Sequence, residues 1–181
     1  LAGTLYAVCL SACDAKEPLS ENRDAEIESP VIANDLSNQK VTAIAEDTQG
    51  HIWIGTFRGL NKNNVHDYHQ YFCTDDSLGL PDNQITHLLR DSKNRFWVGT
   101  VNGVCLYTDK DNFRIIPIEA DNKNVRQILE DRNGRIFFNT GFQLYAYHPR
   151  EEKITCVLPG ISLGNTSYAQ CHIALDNNLW V

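Results

Sequence analysis

Apolar residues fall along this chain in short runs, each closed by a cluster of turn-forming residues. Residues 41–45 (VTAIA) and 85–89 (ITHLL) are β-branched and apolar and lead into an aspartate turn. Residues 51–55 (HIWIG) and 95–99 (RFWVG) each carry an unbroken apolar triplet around a tryptophan. Such a run predicts a strand buried on both faces. The segments 103–109 (GVCLYTD) and 143–149 (QLYAYHP) follow, then 113–118 (FRIIPI) and 153–158 (KITCVL). Each unit thus reads as four strands with a turn signal between neighbours, and the pattern predicts hairpins rather than helices.

The units repeat. Residues 41–60, 85–104 and 125–144 align with Asp47, Asp91 and Asp131 in register, and with Trp53, Trp97 and Phe137 in register at spacings of 44 and 40 residues. A fourth copy starts near Tyr168 and reaches Trp180, 43 residues past Phe137, with a shorter turn at Asp176-Asn177-Asn178. A period of about 40–45 residues suits four strands per unit, as in a propeller blade. The framework that recurs is Asp47, Gly50, Trp53, Gly55 and Thr56, then Asp91, Trp97, Gly99 and Thr100, then Asp131 and Phe137, and last Trp180. The aspartate side chain can accept backbone N–H bonds inside its turn, and the residue three further on closes the turn at positive φ. Gly50, Asn94 and Gly134 occupy that place, and asparagine is the non-glycine residue that tolerates it best. Gln143 falls where the other copies have Gly59 and Gly103, so a different or strained turn is expected there.

The stretches EDTQGHIWIGTFRGLN (46–61) and RDSKNRFWVGTVNGVCLY (90–107) resemble the two-component regulator propeller repeat, and Gly79-Leu80-Pro81-Asp82-Asn83-Gln84-Ile85 matches the linker that joins its blades. The likeness runs from Asn34 to the end and is looser in the third copy, where Phe137, Phe138 and Asn139 stand for Trp, Val and Gly. It implies an all-β fold of four-stranded antiparallel blades. It also implies a non-catalytic sensor outside the inner membrane, in many members fused to a histidine kinase and tuned to glycans. Rings of this family usually have seven blades. The chain holds blades at about 34–77, 78–119 and 120–163 and part of one at 164–181, so an incomplete ring is expected, its open ends pairing with blades elsewhere in the protein. The partners implied are an oligosaccharide, those missing blades and downstream signalling domains; no cofactor is implied.

Composition narrows the rest. At 181 residues the chain has room for one ordinary core, and its net charge of −7, without any run of Lys or Arg, argues against a nucleic-acid surface. It has no Met and begins with Leu, which reads as a piece of something longer. Residues 1–12 carry no charge, are too short to span a bilayer, and have the length of a signal-peptide apolar region. They end in Leu10-Ser11-Ala12-Cys13, which resembles a lipobox with Cys13 as the lipidated residue; a plain export signal is the alternative. Both readings make the protein exported and periplasmic or envelope-bound, held by a lipid anchor or by a transmembrane segment outside this chain. Residues 14–33 are acidic and poor in aromatics and read as a tether.

Candidate chemistry is sparse. The turns after each Gly-Thr or Asn-Thr pair keep their frame but vary at the tip, giving Arg58, Asn102 and Phe142. Repeat symmetry puts the three on one rim, where a cation, an amide and an aromatic ring suit a sugar; plain variation at exposed tips is the alternative. His66 and His69 point to opposite faces if their segment is a strand, which argues against a shared metal. The acidic clusters at 74–76 and 109–111 read as solvated turns. No nucleophile elbow, zinc-hydrolase helix or phosphate loop is present, so the chain reads as a non-enzyme. A propeller enzyme such as a lyase, or a lipoprotein scaffold, remains the alternative. Beyond the leader, Cys73, Cys105, Cys156 and Cys171 allow two disulfides or four buried thiols.

Overall fold

A computed structural model describes residues 30–74, 78–108, 110–141, 143–149 and 151–158, together with two short strands at 172–173 and 179–180. Cys13 and the leader, the acidic tether before Pro30, Phe142 and Cys171 lie outside the described residues. All regular structure among the described residues is β-strand. The first sheet holds β1 (Val31–Ala33), β2 (Val41–Glu46), β3 (Ile52–Thr56), β4 (Gly59–Asn64) and β5 (Asp67–Tyr71), in the order β1-β5-β4-β3-β2. The second holds β6 (Ile85–Arg90), β7 (Phe96–Thr100), β8 (Gly103–Tyr107) and β9 (Phe113–Ile116) in chain order. The third holds β10 (Gln127–Glu130), β11 (Ile136–Asn139), β12 (Leu144–His148) and β13 (Lys153–Leu158), also in chain order. A last pair joins β14 (His172–Ile173) to β15 (Leu179–Trp180). Every pairing is antiparallel, and the sheets are propeller blades making up part of a ring.

Alternation along the strands decides how blades stack. In β3, Trp53 and Gly55 face the second blade, and so do Leu60 and Tyr71 from β4 and β5; they meet Leu88, Phe96, Val98 and Cys105. One blade on, Trp97, Val104 and Leu106 meet Ile128, Ile136, Phe138 and Tyr147 in the same manner. Phe137, Leu144 and Ala146 form a third cluster on the far side of the third blade. Glycine after the aromatic residue is a packing requirement. A Cβ on Gly55 would lie 2.5 Å from Ile85 Cγ2, and one on Gly99 would lie 3.0 Å from Val125 Cγ1. Between the first three blades the strands converge so closely that a side chain at Gly55 would displace Ile85 and one at Gly99 would press on Val125.

Three expectations need correction. Residues 31–33, placed in the tether, form β1 and pair with β5, so the folded part starts before Asn34. His66 is not in a strand: Val65 and His66 are the two-residue turn between β4 and β5, which removes the alternation argument for it. The strand β3 is not buried on both faces. Ile52 is 38% exposed, and Ile44, opposite Ile54 in β2, is 66% exposed. Among the described residues no sheet packs on that face, whereas β7 and β11, with blades before them, are buried throughout.

Candidate functional site

Antiparallel order sends alternate connections to opposite rims. One rim carries the β3–β4, β7–β8 and β11–β12 hairpins, where Arg58 and Asn102 stand exposed. A threonine hydroxyl ties each hairpin: Thr56 Oγ1 donates to the Gly59 carbonyl at 2.8 Å, Thr100 Oγ1 to Gly103 at 3.0 Å, and Thr140 Oγ1 to Gln143 at 3.3 Å. The first two hairpins close with Gly59 at φ 124° and Gly103 at φ 131°. The third is a different turn, as Gln143 demands: Gly141 takes positive φ, 88°, and its N–H donates to Asn139 Oδ1. The linkers reach this rim too. Asn38, Asp82 and Asn122 each accept the N–H two residues on, from Lys40, Gln84 and Asn124, in one recurring Asx turn. The sequence held this signal, an Asn or Asp three residues before the first apolar residue of each unit.

The opposite rim carries the aspartate turns. Asp47 Oδ1 accepts the N–H groups of Gln49 and His51, while Oδ2 accepts Trp53 Nε1 at 2.9 Å and contacts His51 Nδ1 at 3.1 Å. Asp91 repeats this with Lys93, Arg95 and Trp97 Nε1 at 2.8 Å. Asp131 binds Asn133 and Arg135 in the same way, but Phe137 offers no N–H. Burial alone would raise the Asp47 carboxyl; donation from Trp53, His51 and Gln49 outweighs it and holds the group below the usual carboxylate range. Gly50, Asn94 and Gly134 close these turns at φ 84°, 62° and 73°.

Between the first two blades this rim opens into a cleft of about 420 Å³ lined by Lys62, Arg90, Lys110, Asp111, Tyr107 and the Asp47 turn. Asp111, read above as a solvated turn residue, is tied into the fold: its Oδ1 accepts Tyr71 OH at 2.6 Å and Tyr107 OH at 2.8 Å. Burial pushes its carboxyl up, but the two hydroxyls and the nearby Lys62 hold it below its ordinary value; burial and Asp111 drive both phenols upward. Lys62 Nζ lies 5.2 Å from the Trp53 ring and 5.5 Å from that of Tyr107. This cluster draws on two blades, and sequence reasoning missed it.

His87 is a half-buried titratable group. It sits opposite Gly99 on the face turned to the third blade, and its Nδ1 is buried without a hydrogen-bond partner among the described residues. Burial holds its imidazole below the ordinary histidine value of 6.5. The unfolded chain takes up the proton first as pH falls through that value, so stability drops with acidification and is fully present only above it. His87→Ala, which copies Ala43 at the equivalent place in the first blade, should flatten the pH 7 to pH 5 limb of a urea-midpoint profile. An unchanged limb would assign the loss elsewhere.

Among the described residues no group of three or more His, Cys, Asp or Glu side chains could hold a metal ion. Cys105 is a buried free thiol, whereas Cys73 and Cys156 are exposed, and none of the three is joined to another.

Residues 35–58 and 79–102 match the family model described as two component regulator propeller. No curated protein matches the chain. Among solved structures, the chain is similar to the extracellular domain of a hybrid two component system from B. thetaiotaomicron, at 24% identity and a TM-score of 0.67, over 77% of this chain and 19% of that one. A second such domain from B. thetaiotaomicron gives 22% and 0.65, over 81% and 21%. Virginiamycin B lyase from Staphylococcus aureus gives 20% and 0.60, over 83% and 51%. The chain therefore spans about a fifth of the first two structures and half of the lyase, and at these identities they establish the propeller fold.

Proposed function

We propose, for a chain that carries two copies of the two component regulator propeller repeat, that it belongs to the ligand-binding propeller of an exported signalling receptor. The observation that carries this reading is the repeat itself, on a fold shared with extracellular domains of two such systems. The ligand is an oligosaccharide, bound on the hairpin rim through Arg58, Asn102 and Phe142. The chain itself is not the enzyme: output passes to a signalling domain elsewhere in the protein, and the blades that complete the ring come from the same source. Attachment through a lipid on Cys13, or a transmembrane segment outside this chain, would hold it at the envelope.

The exposed face of the first blade supports the idea of further blades. Ile44 and Ile52 present apolar surface where its neighbours bury theirs, and unshielded sheet faces of this kind mark a packing surface.

The test is a glycan screen on the protein that carries this chain. A binding glycan should lose about tenfold or more in affinity when Arg58→Ala and Phe142→Ala are combined, as expected when a polar anchor and an aromatic platform go together. Unchanged binding removes the rim from the proposal. A second reading, a propeller lyase, has the fold of virginiamycin B lyase behind it. Mass spectrometry of the bound glycan separates the two, since a sensor returns it intact and a lyase returns it cleaved.

A further inference from the structure

The cleft between the first two blades lies on the rim opposite Arg58 and Asn102, and the repeat supplies its own control for it. The same positions exist between the second and third blades. Lys62, opposite Trp53, corresponds to Leu106, opposite Trp97. Arg90, the residue before the aspartate turn, corresponds to Glu130. Glu130 stitches its own groove shut by accepting the Ser92 N–H at 2.8 Å and the Ser92 hydroxyl at 2.5 Å. Blade packing is satisfied equally well by Leu106 and Glu130, so packing does not account for the two cations in the first cleft.

Those cations converge with Lys110 on an open space of about 420 Å³. Arg90 uses one of its N–H groups on the Asp47 carbonyl, at 3.0 Å, and the guanidinium has five. Lys62 is held by two aromatic rings and meets Tyr107 OH only at 3.5 Å. The two carboxylates nearby are engaged by other donors, Asp47 by Trp53 and its own turn and Asp111 by two tyrosine hydroxyls. Thr48, Gln49, Asn94 and Thr108 add hydroxyls and amides around the mouth. Three cations against two carboxylates leave a surplus of positive charge, which with the neutral hydrogen-bonding groups fits a small anion rich in hydroxyls.

The geometry points to a second binding site here, for a sugar acid of mono- to disaccharide size, independent of the hairpin rim. Its carboxylate would lie among Lys62, Arg90 and Lys110, its hydroxyls on the amides and threonines. Calorimetric titration of the full chain with glucuronate, glucose and inorganic sulfate tests it. Glucuronate should bind saturably, and about tenfold or more tighter than glucose or sulfate, the worth of one charge-assisted contact. Lys62→Met, which keeps the stem between the rings, should bring glucuronate down to the level of glucose. Lys110→Ser, at an exposed position, should weaken binding without touching the core, which covers the case of a Lys62 variant that fails to fold. Arg58→Ala should leave glucuronate binding unchanged, so failure here and failure of the rim are separate results. Glucose binding as tightly as glucuronate, sulfate matching it, both variants binding like the parent, or no saturable heat up to about 10 mM would each overturn the assignment.

Discussion

Trp97→Ala should destabilise the protein by about 3–5 kcal/mol, the range for deleting a fully buried large aromatic side chain. Trp97 has no exposed surface and packs across the joint between the second and third blades, 5.4 Å from Phe138 and edge-on to Tyr147 at 5.0 Å. The Arg95 guanidinium covers its ring at 5.1 Å. No neighbour can collapse into the space, because both walls are sheets. Trp97→Phe keeps one ring and loses part of the indole's volume and the N–H to Asp91, so it should cost less, about 1–2 kcal/mol. The third copy already uses Phe137 at this place. Stacked repeats contact only their neighbours, so the loss should be local. Hydrogen exchange should show β10 to β12 opening first in Trp97→Ala, with β3 and β4 protected. Equal loss of protection in all three blades would mean that the sheets unfold as one unit.

Repetition explains how much the sequence discloses. Three copies aligned against each other reveal which positions answer a backbone demand, and Gly50, Asn94 and Gly134 share one because the turn needs positive φ. The same comparison marks Gln143 as a departure, and the chain meets it by moving positive φ to Gly141. Positions that differ between copies look like noise, and Lys62 against Leu106 or Arg90 against Glu130 is such a difference. The cleft also draws Tyr71 from one blade and Tyr107 and Asp111 from the next, and nothing in their spacing announces that two phenols meet one carboxylate. β1 was hidden for another reason. A three-residue edge strand has too little pattern of its own and is set by pairing with β5. The exposed Ile44 and Ile52 look like core residues in the sequence because their equivalents Leu88 and Phe96 are core, covered by the blade before them.

Asp91→Ala should cost about as much as the tryptophan deletion, about 3–5 kcal/mol, through a different mechanism. Nothing large is removed. What is lost is one carboxylate that accepts the Lys93 and Arg95 N–H groups, the Arg95 Nε at 2.6 Å and the Trp97 Nε1 at 2.8 Å. Asp91 is 3% exposed and Trp97 has no exposed surface, so the indole N–H is left without water to replace the carboxylate. Arg95 makes matters worse, since its Nη2 is already buried without a partner among the described residues and the variant leaves its charge unmatched. Asp131→Ala isolates the source of the effect. Asp131 holds the same turn, but Phe137 gives it no N–H and its arginine partner, Arg135, is 59% exposed. Water can take over there, so the cost should fall to about 1–2 kcal/mol. Urea midpoints of the two variants decide it. A large gap places the energy in the buried indole and the half-buried guanidinium; equal costs would place it in the backbone turn that both aspartates share.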